Sequence, residues 1–414
     1  MIVLSEKLIV QLQNKKTNIL FVVGPMVVLG ALAMDIYIPF VPMLKAEFQT
    51  TSFNIQATLN IFMLFMAFGQ LIIGPMSDYY GRKKMLLVSI FTYLLGSLAC
   101  FFTQDIYLFI AARGLQAMGS CGGQVIAYAV VKDYAEGSQA QRLFSYLMGI
   151  VGMAPIIAPP LGTTLAHYFG SWRVIFIFLS LYALVAMVYI SIFFKEKKTV
   201  TQQQELPSLA EIRYILLDPT FKQWALIPAL SLTGLFLFFA MSPHYIQHYM
   251  GYSRWAYSLI FSFNAILYSI GSFSAPRIIQ RYSATKVIQL GLLIIMTATC
   301  IMIAQSYLAS TSLPLFLTCI YSCCIAYALM QGAAMGLALE SFKHNLGLAS
   351  AILGSVQFLT ATLIGTLFVH PPIERSAIFA LPMLLLAILS YRAAFANPFS
   401  KKSYRDAAAL TTFS

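Results

Sequence analysis

Apolar residues dominate this chain in long runs, broken by short polar segments at intervals of about 25 to 30 residues. A helix needs about 20 mainly apolar residues to cross the hydrocarbon core of a bilayer. Runs meeting that length fall at approximately 18–42, 54–76, 85–103, 106–131, 143–167, 172–194, 223–248, 255–279, 286–307, 311–339, 346–369 and 373–396. The pattern predicts an all-α integral membrane protein with twelve spans. The first run follows Lys7, Lys15 and Lys16, as in a signal peptide. It is too long for a signal h-region, carries Asp35 and has no small-residue cleavage site, so it reads as a retained span.

One polar stretch interrupts the rhythm. Residues 195–222 contain KEKK, TQQQE and two prolines, and form the longest gap between runs. This stretch divides the chain into a six-helix half at 1–194, a cytoplasmic linker at 195–222, and a second half at 223–414 with a short tail. Two-repeat transporters have that layout; a single bundle with one long loop is the structural alternative.

Composition agrees with lipid as the main solvent. Of 414 residues, 59% are hydrophobic and 10% charged, and the mean hydropathy is +0.79. A soluble domain carries about 25% charge. The net charge of +12 would suggest nucleic acid in a soluble protein. Here it reports orientation, because Lys and Arg accumulate on the cytoplasmic side. With the N-terminus inside, 21 of the 26 basic residues fall in cytoplasmic segments. Only Lys45, Arg173, Arg254 and Arg375 fall outside, and Arg113 lies within a span. Both termini are therefore expected in the cytoplasm. The six cysteines all lie in apolar runs, with neither metal spacing nor a disulfide framework.

The strongest local signal runs from Gly74 to Lys84, GPMSDYYGRKK, between the second and third spans. Gly74 suits close helix approach and Gly81 a tight turn. Asp78 and Arg82 are four apart and can pair, and Lys83 extends the basic cluster. Asp78 can also face a helix N-terminus in one conformation and lose it in another, which makes the segment a candidate conformational switch.

This segment resembles the cytoplasmic loop of the major facilitator superfamily. Residues 108–119, LFIAARGLQAMG, resemble that family's span-four motif. Residues 149–162, GIVGMAPIIAPPLG, resemble the span-five motif of proton-driven exporters, with Gly149, Gly152, Pro155, Pro159 and Gly162 as its glycines and prolines. Residues 34–39 (MDIYIP), 171–173 (SWR) and 347–354 (GLASAILG) look like the Bcr/CflA branch of the 12-span drug/proton antiporters. The resemblance implies the major facilitator fold in a bacterial-type inner membrane. It implies proton-coupled export of drug-like molecules by alternating access and a monomeric protein. Relatives that carry a second span-one acid differ here, where residues 24–28 read GPMVV.

Two ionisable residues interrupt spans, and such charges mark functional sites by default. Asp35 is the candidate proton carrier, since a carboxylate in an alternating environment can load and release a proton. An interfacial role is its structural alternative. Arg113 keeps its charge and would organise polar groups and influence Asp35, or serve as a structural hydrogen-bonding hub. The prolines of span five would kink it and help seal a cavity. Tyr37, Asn60, Gln116, Gln124, Asn264, Gln331 and Gln357 are candidates for lining that cavity, with helix packing as their alternative.

No phosphate-binding GxxxxGK[ST] loop, HExxH or nucleophile constellation occurs. The expected partners are a small-molecule substrate, protons and the lipid bilayer, without nucleic acid, and no cofactor is expected beyond a proton gradient. A transporter of a siderophore, amino acid or metabolite, including a symporter, would carry nearly the same motifs. A membrane enzyme or sensor would need a constellation that is lacking. The charge bias predicts that reporter fusions at the C-terminus are active only for a cytoplasmic reporter; activity of a periplasm-dependent reporter there would overturn the topology.

Overall fold

The computed structural model describes residues 22–134, 137–194, 196, 208–307, 312–342, 346–368 and 377–396. Among them every regular element is helical. In lipid, each backbone polar group must be satisfied within the chain, and helices achieve this locally. The helices are α1 (Val22–Glu47), α2 (Ser52–Tyr80), α3 (Arg82–Phe102), α4 (Ile106–Tyr134), α5 (Gly137–Phe169) and α6 (Val174–Phe193). A linker helix, Leu209–Leu217, follows. Then come α7 (Pro219–Tyr249), α8 (Arg254–Tyr282), α9 (Ala284–Tyr307), α10 (Leu313–Leu339), α11 (Leu346–Phe368) and α12 (Ala377–Phe395).

Eleven helices among the described residues are long and apolar enough to cross a membrane; α4 is not one of them. It is 29 residues long and occupies the expected fourth run. Arg113, Gln116, Gln124 and four glycines dilute its hydropathy. The residues that make α4 chemically interesting are the ones that weaken its apolar signal.

The linker is not simply a polar loop. Ser208 and Glu211 form a reciprocal capping box that starts the linker helix. Asp218 then caps α7 by accepting from the Phe221 amide at 2.8 Å, with Pro219 at its first turn. Residues 195 and 197–207 lie outside the described part of the linker. So do many of the basic residues counted for topology, including those at 1–21 and 397–414.

The chain forms two compact units. One comprises residues 1–206 with 253–262, the other 207–252 with 263–414. In the first, α4 packs against α2 and α3, and α3 also packs against α6. Small residues set the α3–α4 spacing. A Cβ on Gly96 would lie 2.5 Å from the Gln116 backbone nitrogen, and one on Gly119 2.3 Å from that of Tyr93. Both contacts are with backbone, which cannot yield as a flexible side chain would. In the second unit, α10 packs between α7 and α9, and α7 also packs against α11.

Gly119→Ala is expected to lower stability by about 1–3 kcal/mol through overpacking. The check is a lower thermal unfolding midpoint in detergent. Gly332→Ala, where a Cβ meets nothing within 4 Å, is expected to leave the midpoint unchanged.

Candidate functional site

The first span is discontinuous at its polar residue. A regular α-helical segment runs Leu29–Asp35 and ends there. A 3-10 turn, Ile38–Phe40, and a second helical segment, Val41–Glu47, follow. Pro39 and Pro42 lack amide donors, so a continuous ladder cannot form across this region. Asp35 is 4% exposed. No hydrogen bond or ion pair joins its carboxylate to any described residue. Gly162 of α5 lies against the break: a Cβ there would sit 2.6 Å from the Ile36 carbonyl oxygen. Of the other span-five motif residues, Pro159 is buried, and Gly149, Gly152 and Pro155 are half-buried, all within one helix.

Arg113 is fully buried. Its Nη1 donates to the Ala33 carbonyl at 3.0 Å and to Gln116 Oε1 at 2.6 Å. Its guanidinium stacks over Tyr37 at 4.7 Å and Phe62 at 4.6 Å. The chain of bonds continues from Gln116 Nε2 to Ser97 Oγ at 2.8 Å and from Ser97 to the Tyr93 carbonyl at 2.9 Å. Tyr93 then donates from its hydroxyl to the Leu29 carbonyl at 3.3 Å. Ala33 and Leu29 are one turn apart on α1, so the network leaves α1, crosses α4 and α3, and returns. Arg113 and Asp35 form no ion pair; the guanidinium instead holds the backbone two residues before the carboxylate.

The 74–84 segment is mostly helical. α2 runs through Pro75 to Tyr80, and Gly81 alone breaks it, at φ +96°. The Asp78–Arg82 ion pair therefore spans a junction between two helices. Arg82 is a hub: its Nε donates to Asp133 at 3.0 Å and its Nη1 to Ser77 Oγ at 2.6 Å. Its backbone amide donates to Glu196, while Lys83 Nζ donates to the Ser191 carbonyl at 2.8 Å. The close approach expected at Gly74 falls elsewhere, since a Cβ there would meet only Val125 at 3.5 Å. At Gly69 it would meet Cys121 Sγ at 2.8 Å.

The candidates for a cavity separate into two groups. In the first unit, Tyr37 is buried, bonded to Thr58 Oγ1 at 2.8 Å and packed on Phe109 and Phe176. Gln56 donates to Asn60 at 3.4 Å, and Gln124 donates to the Tyr128 hydroxyl at 3.3 Å. Gln116 belongs to the Arg113 network. In the second unit, Tyr268 donates to Gln331 Oε1 at 2.6 Å, and Gln331 Nε2 approaches Gln357 Oε1 at 3.3 Å. Asn264 is buried.

Several partners escaped the sequence reading. Asp133 and Glu196 both bind Arg82, and each follows a span beside a lysine, a weak signal that many basic loops share. Glu47 accepts from the Trp172 indole and pairs with Arg173 at 3.3 Å. Ser97 and Tyr93 give no sequence signal, as single hydroxyls are common in membrane helices.

Fold and site define a multi-pass helical membrane protein that carries buried charge in its helices. Comparison with known proteins assigns the class. The sequence model of the Major Facilitator Superfamily matches residues 23–366. The uncharacterized MFS-type transporter YdgK of Bacillus subtilis (strain 168) is 28% identical over 360 residues, covering 86% of this chain and 89% of that protein. A chloramphenicol resistance protein of Pseudomonas aeruginosa is 28% identical over 349 residues, covering 84% and 82%. Multidrug resistance protein MdtL of Salmonella typhimurium is 25% identical over 340 residues, covering 82% and 84%. Among solved structures, the inward-open xylose transporter XylE from E. coli superposes with a TM-score of 0.72 at 13% identity, covering 91% of this chain and 96% of that one. The chain belongs to the Major Facilitator Superfamily and is a membrane transporter of small molecules, not an enzyme.

Gln116→Leu removes one acceptor from a buried guanidinium. It is expected to cost about 1–3 kcal/mol of stability, seen as a lower unfolding midpoint in detergent. Gln124→Leu, at a half-buried position, is expected to cost less.

Proposed function

We propose that this chain is a proton-coupled antiporter that exports drug-like small molecules by alternating access. Asp35 carries the proton. The carrying observation is a buried carboxylate at the break in α1 with no partner among the described residues. A carboxylate so placed is costly to ionise when dry and easy to ionise when wet, which couples its protonation to the opening of the site. Similarity to a chloramphenicol resistance protein and to MdtL supports export of drugs.

Arg113 acts in this scheme as the group that fixes the helix just before Asp35. Its bonds to Ala33 and Gln116 tie α1 to α4 and α3. The Arg82 hub, with Gly81, Asp78 and Lys83, is the conformational switch on the cytoplasmic side. Gly162 and its motif neighbours let α5 seat closely on the broken span. The remaining parts of the proposal are twelve spans with α4 as the fourth, both termini in the cytoplasm, an inner-membrane location and a monomeric protein. The proton gradient is the energy source, and no cofactor takes part.

Asp35→Asn is expected to reduce pH-gradient-driven export from proteoliposomes to background, with insertion and protein level unchanged. Substrate exchange without a gradient is expected to survive. Export at the normal rate by Asp35→Asn would remove Asp35 as the coupling group. Gradient-driven uptake in place of export would make the chain a symporter for a physiological solute.

A further inference from the structure

The second unit contains polar groups but keeps its charges at its edges. Among its described residues, every Asp, Glu, Lys and Arg lies within two helical turns of a helix end, in a loop or on the linker helix. The polar side chains near the middle of its spans are neutral. Asn264 and Tyr268 are four apart on α8 and share a face. Gln331 lies in the second half of α10, two turns beyond Cys324, whose Sγ contacts the Asn264 backbone carbonyl oxygen at 3.5 Å. Gln357 lies at the middle of α11.

Tyr268, Gln331 and Gln357 are connected, and the set is incompletely satisfied. Tyr268 donates to Gln331 at 2.6 Å, a strong bond, whereas the Gln331–Gln357 contact is long at 3.3 Å. The amide nitrogen of Gln357 donates to no described residue. Asn264 is 3% exposed, and its Oδ1 has no hydrogen-bond partner. An unsatisfied buried amide costs about 1–3 kcal/mol, and more apolar residues would fill the same space without that cost. The Tyr268–Gln331–Gln357 chain thus ends in a free donor, and the separate Asn264 side chain, one turn before Tyr268, adds a free acceptor, near the depth where transporters bind their cargo.

We infer that Asn264, Tyr268, Gln331 and Gln357 form the polar recognition site of the second unit, and that it selects uncharged solutes bearing an amide or hydroxyl group over permanent cations. Such a group offers a donor and an acceptor together, the complement of what Gln357 and Asn264 leave open. A cation finds no carboxylate there. Discrimination arises because a solute without hydrogen-bonding groups leaves the buried amides unpaired. The inference deepens the exporter reading and rests on it only for the direction of travel.

The test is equilibrium binding, without any gradient, to the full chain in nanodiscs. The probes are labelled chloramphenicol, which is uncharged with amide and hydroxyl groups, and tetraphenylphosphonium, a cation with no hydrogen-bonding group. The wild type is expected to prefer chloramphenicol. Gln331→Leu and Gln357→Leu are each expected to weaken chloramphenicol binding about tenfold and to leave tetraphenylphosphonium binding unchanged. Gln357→Glu supplies a carboxylate and is expected to gain tetraphenylphosphonium binding, a result that misfolding cannot produce. The inference is overturned if the wild type prefers the cation or binds no chloramphenicol. It is equally overturned if both leucine variants bind chloramphenicol within twofold of wild type, or if Gln357→Glu folds and gains no cation binding. None of these outcomes bears on gradient-driven export, which the Asp35→Asn assay decides separately.

Discussion

A guanidinium with no exposure to solvent must find its hydrogen bonds inside the protein, and Arg113 organises the first unit around that demand. Inserting an arginine at the centre of a membrane helix costs roughly 2.5–3.5 kcal/mol on insertion scales. Here the cost is offset by the Ala33 carbonyl, the Gln116 amide and two aromatic faces. Each of these partners comes from a particular helix at a particular distance. The bonds require α1, α3 and α4 to lie close together, and Gly96 and Gly119 remove the side chains that would hold α3 and α4 apart. Charge and close packing are thus one arrangement.

The same arrangement sets the surroundings of Asp35. Arg113 turns its Nη1 to backbone and amide oxygens, and the carboxylate two residues beyond Ala33 keeps no fixed counter-ion among the described residues. A permanent Arg–Asp pair would hold the acid in one charge state. At the junction of α2 and α3 the opposite choice is made. Arg82 gathers Asp78, Asp133 and Ser77 across the Gly81 break, where water lowers the cost of keeping several charges together.

The two units treat polarity differently. The first carries its interior ions on α1 and α4, while the second offers neutral amides on α8, α10 and α11. A carrier that moves both a proton and a larger solute has use for both kinds of group. An ionisable residue responds to hydration, and an amide recognises shape and hydrogen-bond pattern without changing charge.

The sequence by itself determined the helical class and the positions of the runs, and it singled out Asp35, Arg113 and Arg82 as candidates. Hydropathy and isolated charges are local properties, and lipid makes them decisive. Its twelve runs include α4, which falls short of the apolar threshold that the other eleven helices meet among the described residues, because a helix shielded by its neighbours need not be apolar enough to stand alone in lipid. It read the 74–84 segment as a loop, although a single positive-φ glycine separates two helices there. The tertiary structure alone decided which partners meet. Asp133 and Glu196 reach Arg82 from 51 and 114 residues away, and Ser97 reaches Gln116 across 19. It also decided that Arg113 holds backbone rather than Asp35. Side-chain chemistry states what a residue can bind, but only the packing of helices settles what lies within 3 Å of it.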